Sequence, residues 1–217
     1  DSWDGRACEV AAAGAPPVLG VPEGAYLRSF APEGLAAFEE SLAFLASAGV
    51  EVRRVPGVME DFEGVAARHV AMTLSEWAAS LSAQWSGHAA LFRAQTTMEV
   101  LAGLEVPEEA AEAGRRGRSE LREQLLAAMD SAGVDLWATP GATQGEAPEG
   151  LGSTGDSRGQ LPWTHAGLPT LVLPSGLSAR CSPPLPLGMQ LAARPGADEA
   201  LLAWGARLGE LGLRLPM

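Results

Sequence analysis

Val18-Leu19-Gly20-Val21, followed by Pro22 and Gly24, opens the part of the chain that decides the fold. A short apolar run closed by turn residues reads as a buried strand. Pro32 and Glu33 have the character of a first helical turn. Leu35, Phe38, Leu42 and Leu45 then recur at spacings of three, four and three residues, which places them on one helix face. Gly49 stands where a helix C-cap belongs. Val50-Glu51-Val52-Arg53-Arg54-Val55 follows, partly alternating. Strand, helix and strand with short joints make a βαβ unit, and that requires a parallel pair with a right-handed crossover.

Outward from this unit the alternation continues. Residues 59–101 read as helical, with Phe62, Val65, His69 and Met72 on one face, Trp77, Leu81 and Trp85 continuing the apolar material, and a break expected at Ser86-Gly87. Pro107-Glu108-Glu109 opens another helix with acids at the positive end of its dipole. Leu121, Leu125, Ala128, Met129 and Ala132 form its inner face, and Gly133 ends it. Val134 to Thr139 is the next strand, stopped by Pro140. Residues 141–161 form a long Gly/Ser/Thr stretch without periodicity, a kind of loop that is often functional. Pro162-Trp163-Thr164-His165-Ala166 reads as one helical turn ended by Gly167. Thr170 to Leu173 is a strand closed by Pro174-Ser175-Gly176, Leu187 to Ala192 is another, and Asp198 to Leu211 is the last helix. No repeat and no internal boundary appears, so residues 1–217 are read as one α/β layered unit.

The chain has 217 residues, of which 47% are apolar, enough for a substantial core. Lys+Arg is 15 against Asp+Glu at 27, a net charge of -12. That argues against nucleic acid and anionic membranes as partners, since both call for a basic face. No stretch is apolar enough to span a bilayer. Asp1 to Val10 lacks the cationic start and apolar run of a secretory signal, so a cytoplasmic location is expected. The absence of a starting Met at Asp1 points to a partial chain. The sequence contains no Lys, no Asn and no Ile. A phosphate-loop lysine, a Schiff-base lysine and a Lys general base are therefore excluded for this chain alone. Cys8 and Cys181 are isolated thiols with no metal-ligand spacing.

No G-x-G-x-x-G follows a strand. His69, His88 and His165 show no metal-ligand spacing, and His69 on a helix face reads as a hydrogen-bonded core or boundary residue. No metal or cofactor is expected. Arg115, Arg116, Arg118 and Arg122 could clamp a carboxylate, but a solvated helix face paired with Glu112, Glu120 and Glu123 explains them better. Gly150-Leu151-Gly152-Ser153-Thr154-Gly155-Asp156 could turn several backbone N–H groups toward one anion or carbonyl oxygen. Composition favours the plainer reading, a flexible surface loop whose Asp caps its own backbone. The strand at 170–173 ends where parallel α/β sheets place ligands, and Ser175 there is either a polar contact or turn chemistry.

Ala132-Gly133-Val134-Asp135-Leu136-Trp137-Ala138-Thr139-Pro140 resembles a strand of the amidase signature family. Ser153-Thr154-Gly155-Asp156, Pro162-Trp163-Thr164, Gly167-Leu168-Pro169-Thr170 and Leu173-Pro174-Ser175-Gly176 are similar to that family's later stretch, in the same order. Pro186 to Arg194 followed by Ala197-Asp198-Glu199 looks like its closing strand and helix. Leu19 to Tyr26, Ala37-Phe38-Glu39-Glu40 and Ala48 to Val52 fit the same family. The resemblance covers nearly the whole chain.

It implies an α/β fold with a mixed, largely parallel sheet flanked by helices, and hydrolysis of a small-molecule carboxamide. In that family a Ser nucleophile, a second Ser in a cis peptide and a Lys form the triad, carried by a Gly/Ser-rich loop in the half preceding what is seen here. This sequence has no such loop and no Lys, so no catalytic residue is carried over. Thr154, Gly155, Asp156 and Trp163 match positions near the substrate pocket and are expected to bind substrate. The expected function is the C-terminal portion of an amide hydrolase, inactive by itself and prone to associate. The alternatives are the glutaminase part of an amidotransferase, or a noncatalytic binding or interaction module.

Overall fold

A computed structural model describes residues 15–142, 155–178 and 182–212. The expected βαβ unit is present. β1 (Leu19–Pro22) and β2 (Val52–Val55) pair in parallel, with Leu19 opposite Val52. The helix α2 (Pro32–Ser47) crosses between them after a single turn, α1 (Ala25–Arg28), which the sequence pattern had not suggested. On the other side of β1 lies β3 (Leu136–Pro140), also parallel, with Leu19 opposite Leu136. β5 (Pro186–Ala192) runs antiparallel to β3, and β4 (Thr170–Leu177) runs antiparallel to β5 at the edge. The sheet is therefore mixed, in the order β2-β1-β3-β5-β4.

The 132–140 stretch folds for identifiable reasons. Helix α5 (Glu108–Ala132) ends because Gly133 takes the left-handed conformation, at φ 61°. There the N–H of Val134 reaches back to the carbonyl of Met129 at 3.0 Å, satisfying an otherwise orphaned helix carbonyl. Asp135 then clamps the start of β1. Its backbone N–H donates to the Val18 carbonyl at 2.9 Å, and its carboxylate accepts from the Val18 N–H at 2.8 Å.

Strand alternation sends side chains to two cores. Trp137 and Ala192 join Tyr26, Phe62, Leu121, Leu125 and Met129 beneath α5 and the long helix α3 (Phe62–His88). Leu136, Ala138, Met189 and Leu191 face the opposite way. They pack against Phe38, Leu42 and Leu45 of α2 and against Leu201 and Leu208 of α7 (Asp198–Glu210). Fully burying one such side chain is worth about 1.5–3 kcal/mol.

Several boundaries differ from the sequence reading, three of them with a clear physical reason or consequence. The helical break falls after His88, at a 3-10 turn over Ala89–Leu91, and α4 (Ala94–Leu104) follows. Ser86-Gly87 stays inside α3, since one glycine costs a helix only about 1 kcal/mol. β3 includes Pro140, which pairs with Met189. β4 continues past Pro174 to Leu177 through a register shift between Pro174 and Gly176. An edge strand tolerates a residue without an N–H. Cys8 and Cys181 lie outside the described residues.

α4 sits close against α3. A methyl group on Gly103 would lie 2.2 Å from the Leu74 carbonyl oxygen and 2.8 Å from Ala78 Cβ. Only a residue without Cβ permits that approach. No described helix is long and apolar enough to cross a membrane.

Candidate functional site

The expected helical turn at 162–166 is α6 (Leu161–Ala166). Gly167, at φ 66°, closes it, and the Leu168 N–H donates to the Trp163 carbonyl at 3.0 Å. Arg122 on α5 donates from Nε to the Ala166 carbonyl at 2.6 Å, fixing the helix end to its neighbour. The run from Ser157 to Thr164 has two faces. Ser157, Gln160, Leu161 and Thr164 recur at helical spacing and line a cavity. Trp163 and His165 turn away from it into the protein.

Trp163 is 1% exposed. Its Nε1–H donates to Tyr26 Oη at 3.0 Å, and that hydroxyl donates in turn to the Gly159 carbonyl at 2.6 Å. The Trp163 and Tyr26 rings meet edge-on, 5.9 Å between centroids. Burial pushes the Tyr26 phenol well above its usual pKa, so it remains a donor. Asp156 accepts the Arg158 backbone N–H at 2.9 Å and so caps the 3-10 turn Ser157–Gly159. Gly155, at φ 97°, supplies the turn into it. The Arg158 side chain pairs with Glu63 and lies over the Phe62 ring at 5.1 Å. Gln160 donates from Nε2 to the Gly141 carbonyl, just beyond the C-terminal end of β3. That bond ties one wall of the cavity to the C-terminal end of β3, the end at which α/β sheets place ligands.

Of the four expected substrate positions, Gly155 and Asp156 stand at the turn before α6 and Trp163 within it, none of these three lines the cavity, and Thr154 lies outside the described residues. The cavity itself encloses about 430 Å³ between α3, α4 and α6. Val70, Leu74, Trp77 and Leu161 give it apolar walls, and His69, Thr73, Glu99, Ser157, Gln160 and Thr164 supply polar groups. The sequence reading took none of these lining residues as a site residue, and read His69 and Trp77 only as helix-face and apolar packing residues. The signal that could have found them is the i, i+3, i+4, i+7 spacing of 157, 160, 161 and 164. Of the four arginines read as a solvated face of α5, Arg115 and Arg116 form exposed ion pairs with Glu108 and Glu112, whereas Arg122 turns to the Ala166 carbonyl and Arg118 lies near the histidine pair. The Ser175 carbonyl accepts from Ser41 Oγ at 2.9 Å.

His69 is hydrogen-bonded, as its helix face implied, but its partner was not foreseen. The fold places its Nδ1 3.2 Å from Nδ1 of His165, which is fully buried. The rings stand at 89°. Thr73 Oγ1 lies 3.4 Å from His69 Nε2. Burial, then His69, Arg118 and Arg68, depress the His165 pKa from 6.5 to about 4. Burial and Arg118 lower that of His69, with Glu76 opposing.

This depression gives stability a pH dependence of definite sign. Unfolded His165 takes up a proton near pH 6.5, and folded His165 only near pH 4. Between these values the unfolded chain binds more protons, so stability falls as the pH drops. Urea unfolding is expected to lose about 2–3 kcal/mol from the histidine pair between about pH 7.5 and about pH 4.5. His165→Asn is expected to remove that portion of the acid limb.

No family model and no curated protein matches this chain. Solved structures do. One, described as an amidase, superposes with a TM-score of 0.78 at 27% identity over 91% of this chain and 46% of its own. A bacterial aryl acylamidase of the amidase signature enzymes superposes at 0.68, with 17% identity, over 94% and 45%. A glutamyl-tRNA(Gln) amidotransferase component from Thermotoga maritima gives 0.56 and 19%, over 91% and 43%. The chain has the α/β fold of the amidase-signature enzymes, as its motifs implied. It spans less than half the length of these structures.

Proposed function

We propose that this chain is the C-terminal portion of an amidase-signature hydrolase, supplying sheet strands and pocket walls. The Ser nucleophile and its base come from polypeptide outside it. The observation carrying this reading is the superposition on an amidase over 46% of that chain, by a sequence without a single Lys. In the intact enzyme the Ser oxygen attacks the carboxamide carbon. The C–N bond breaks, ammonia or an amine leaves with a proton, and water cleaves the acyl-enzyme. Asp156, Gly155 and Trp163 serve substrate binding by fixing the segment whose Ser157, Gln160 and Thr164 face the cavity. The apolar walls favour an amide with a hydrophobic substituent over glutamine. Losing nucleophile and base together leaves little chemistry, because such residues act as a unit.

The test is release of ammonia or aniline from benzamide and acetanilide. The purified chain is expected to give none. Co-expression with the nucleophile-bearing half of an amidase-signature enzyme is expected to give turnover that depends on that half's Ser. Turnover by the chain alone that survives rigorous purification overturns the reading. Turnover of glutamine alone in the reconstituted pair would instead place the chain in the amidotransferase branch.

A further inference from the structure

His69 lines the cavity with His165 behind it, and catalysis as proposed above leaves the histidine pair without a task. One of its rings is fully buried and the other half-buried and open to the cavity. With Nδ1 facing Nδ1 at 3.2 Å, one nitrogen must donate and the other accept. Two neutral arrangements satisfy this, and they leave opposite groups at His69 Nε2.

The charges around the pair distinguish them. Arg68 and Glu76 on α3 and Arg118 on α5 act on it, Glu99 on α4 shares the cavity with His69, and Arg122 on α5 is held on the Ala166 carbonyl. The cations act most directly on His165. A methyl group on Gly117 would lie 3.2 Å from Arg68 Nε and 3.3 Å from His165 Nε2, so both atoms border one small space. Neither has a hydrogen-bond partner among the described residues. The Arg68 Nε–H can only donate, and a lone pair on His165 Nε2 is the matching neighbour. That leaves the His165 proton on Nδ1, donating to His69 Nδ1. The His69 proton is then on Nε2, toward the cavity. Thr73 Oγ1, 3.4 Å away, is too distant to hold that N–H fully.

We propose that His165 acts as a positioning residue that fixes His69 in the Nε2–H form, making His69 the hydrogen-bond donor of this cavity. The cavity then selects a hydrophobic amide whose substituent carries an acceptor oxygen at the His69 end. The substrate part of this inference rests on reading the cavity as part of the amide site. The tautomer does not. The depressed basicity of both rings keeps the pair neutral at neutral pH.

The test uses the 217-residue chain. Proton–nitrogen correlation NMR at neutral pH is expected to show the His69 proton on Nε2. Acetophenone, which has an acceptor oxygen, is expected to bind about tenfold tighter than ethylbenzene, which has none. His165→Leu is expected to abolish that preference and release the tautomer. His165→Asn places an amide N–H where Nδ1 stood, and should hold the preference within about threefold of the unaltered chain. A His69 proton found on Nδ1, equal binding of the two probes by the unaltered chain, or equal loss in both variants overturns the proposal. If neither variant folds, the two measurements on the unaltered chain decide. None of these readouts uses turnover. A failed reconstitution of amidase activity therefore leaves them standing, and loss of probe discrimination with turnover intact rejects the donor role alone.

Discussion

Trp163→Ala is expected to destabilise the chain by about 3–5 kcal/mol, read as a shift in the urea midpoint with little change in slope. The indole is 1% exposed and packs edge-on against Tyr26. Its removal leaves a cavity and deprives Tyr26 Oη of the Nε1–H that it accepts at 3.0 Å. A domain of this size has only about 5–15 kcal/mol of stability, so much of the population could unfold. Trp163→Phe keeps most of the ring and loses only the donor, and should cost about 1–2 kcal/mol. If Trp163 serves substrate by holding the frame, the phenylalanine variant retains acetophenone binding. A cost below about 1 kcal/mol for the alanine variant would contradict the tight packing of this indole.

Gly103→Val is expected to push α4 away from α3. The added Cβ meets the Leu74 carbonyl oxygen at 2.2 Å and the Leu74 carbonyl carbon at 2.8 Å, and backbone has little freedom to yield. Valine also forms helix less well than alanine by a few tenths of a kcal/mol. The combined cost is about 3 kcal/mol. Since α4 carries Glu99 to the cavity, the wall opens before the sheet is disturbed. Hydrogen exchange should show faster opening of α4 amides while β1, β3 and β5 keep their protection. Unchanged exchange in α4 would rule out the close approach at Gly103.

The legible parts of the sequence were those whose causes are local. The βαβ unit, the stop at Gly133 and the turn closed by Gly167 each follow from periodicity and one residue with special backbone freedom. Asp156 as a cap was also within reach, because an Asx side chain reaches its own backbone two residues on. What escaped the reading depends on distant chain meeting in space. The 96 residues separating His69 from His165 leave no spacing signal, and only the packing of α3, α5 and α6 joins them. The extension of β4 past Pro174 was hidden because proline argues against a strand unless the strand is known to be an edge. The lining of the cavity was partly visible in spacing, but α6 is so short that its face becomes meaningful only once its neighbours are fixed.

The two faces of α6 have an evolutionary implication. Changes at Ser157, Gln160 or Thr164 alter what the pocket meets while leaving the Tyr26–Trp163 contact untouched. Drift toward a new ligand is therefore cheap on that side. On the other side, any exchange at Trp163 or His165 is felt in the interior first, so lineages retuning the pocket's preference should wander at the former positions and hold still at the latter.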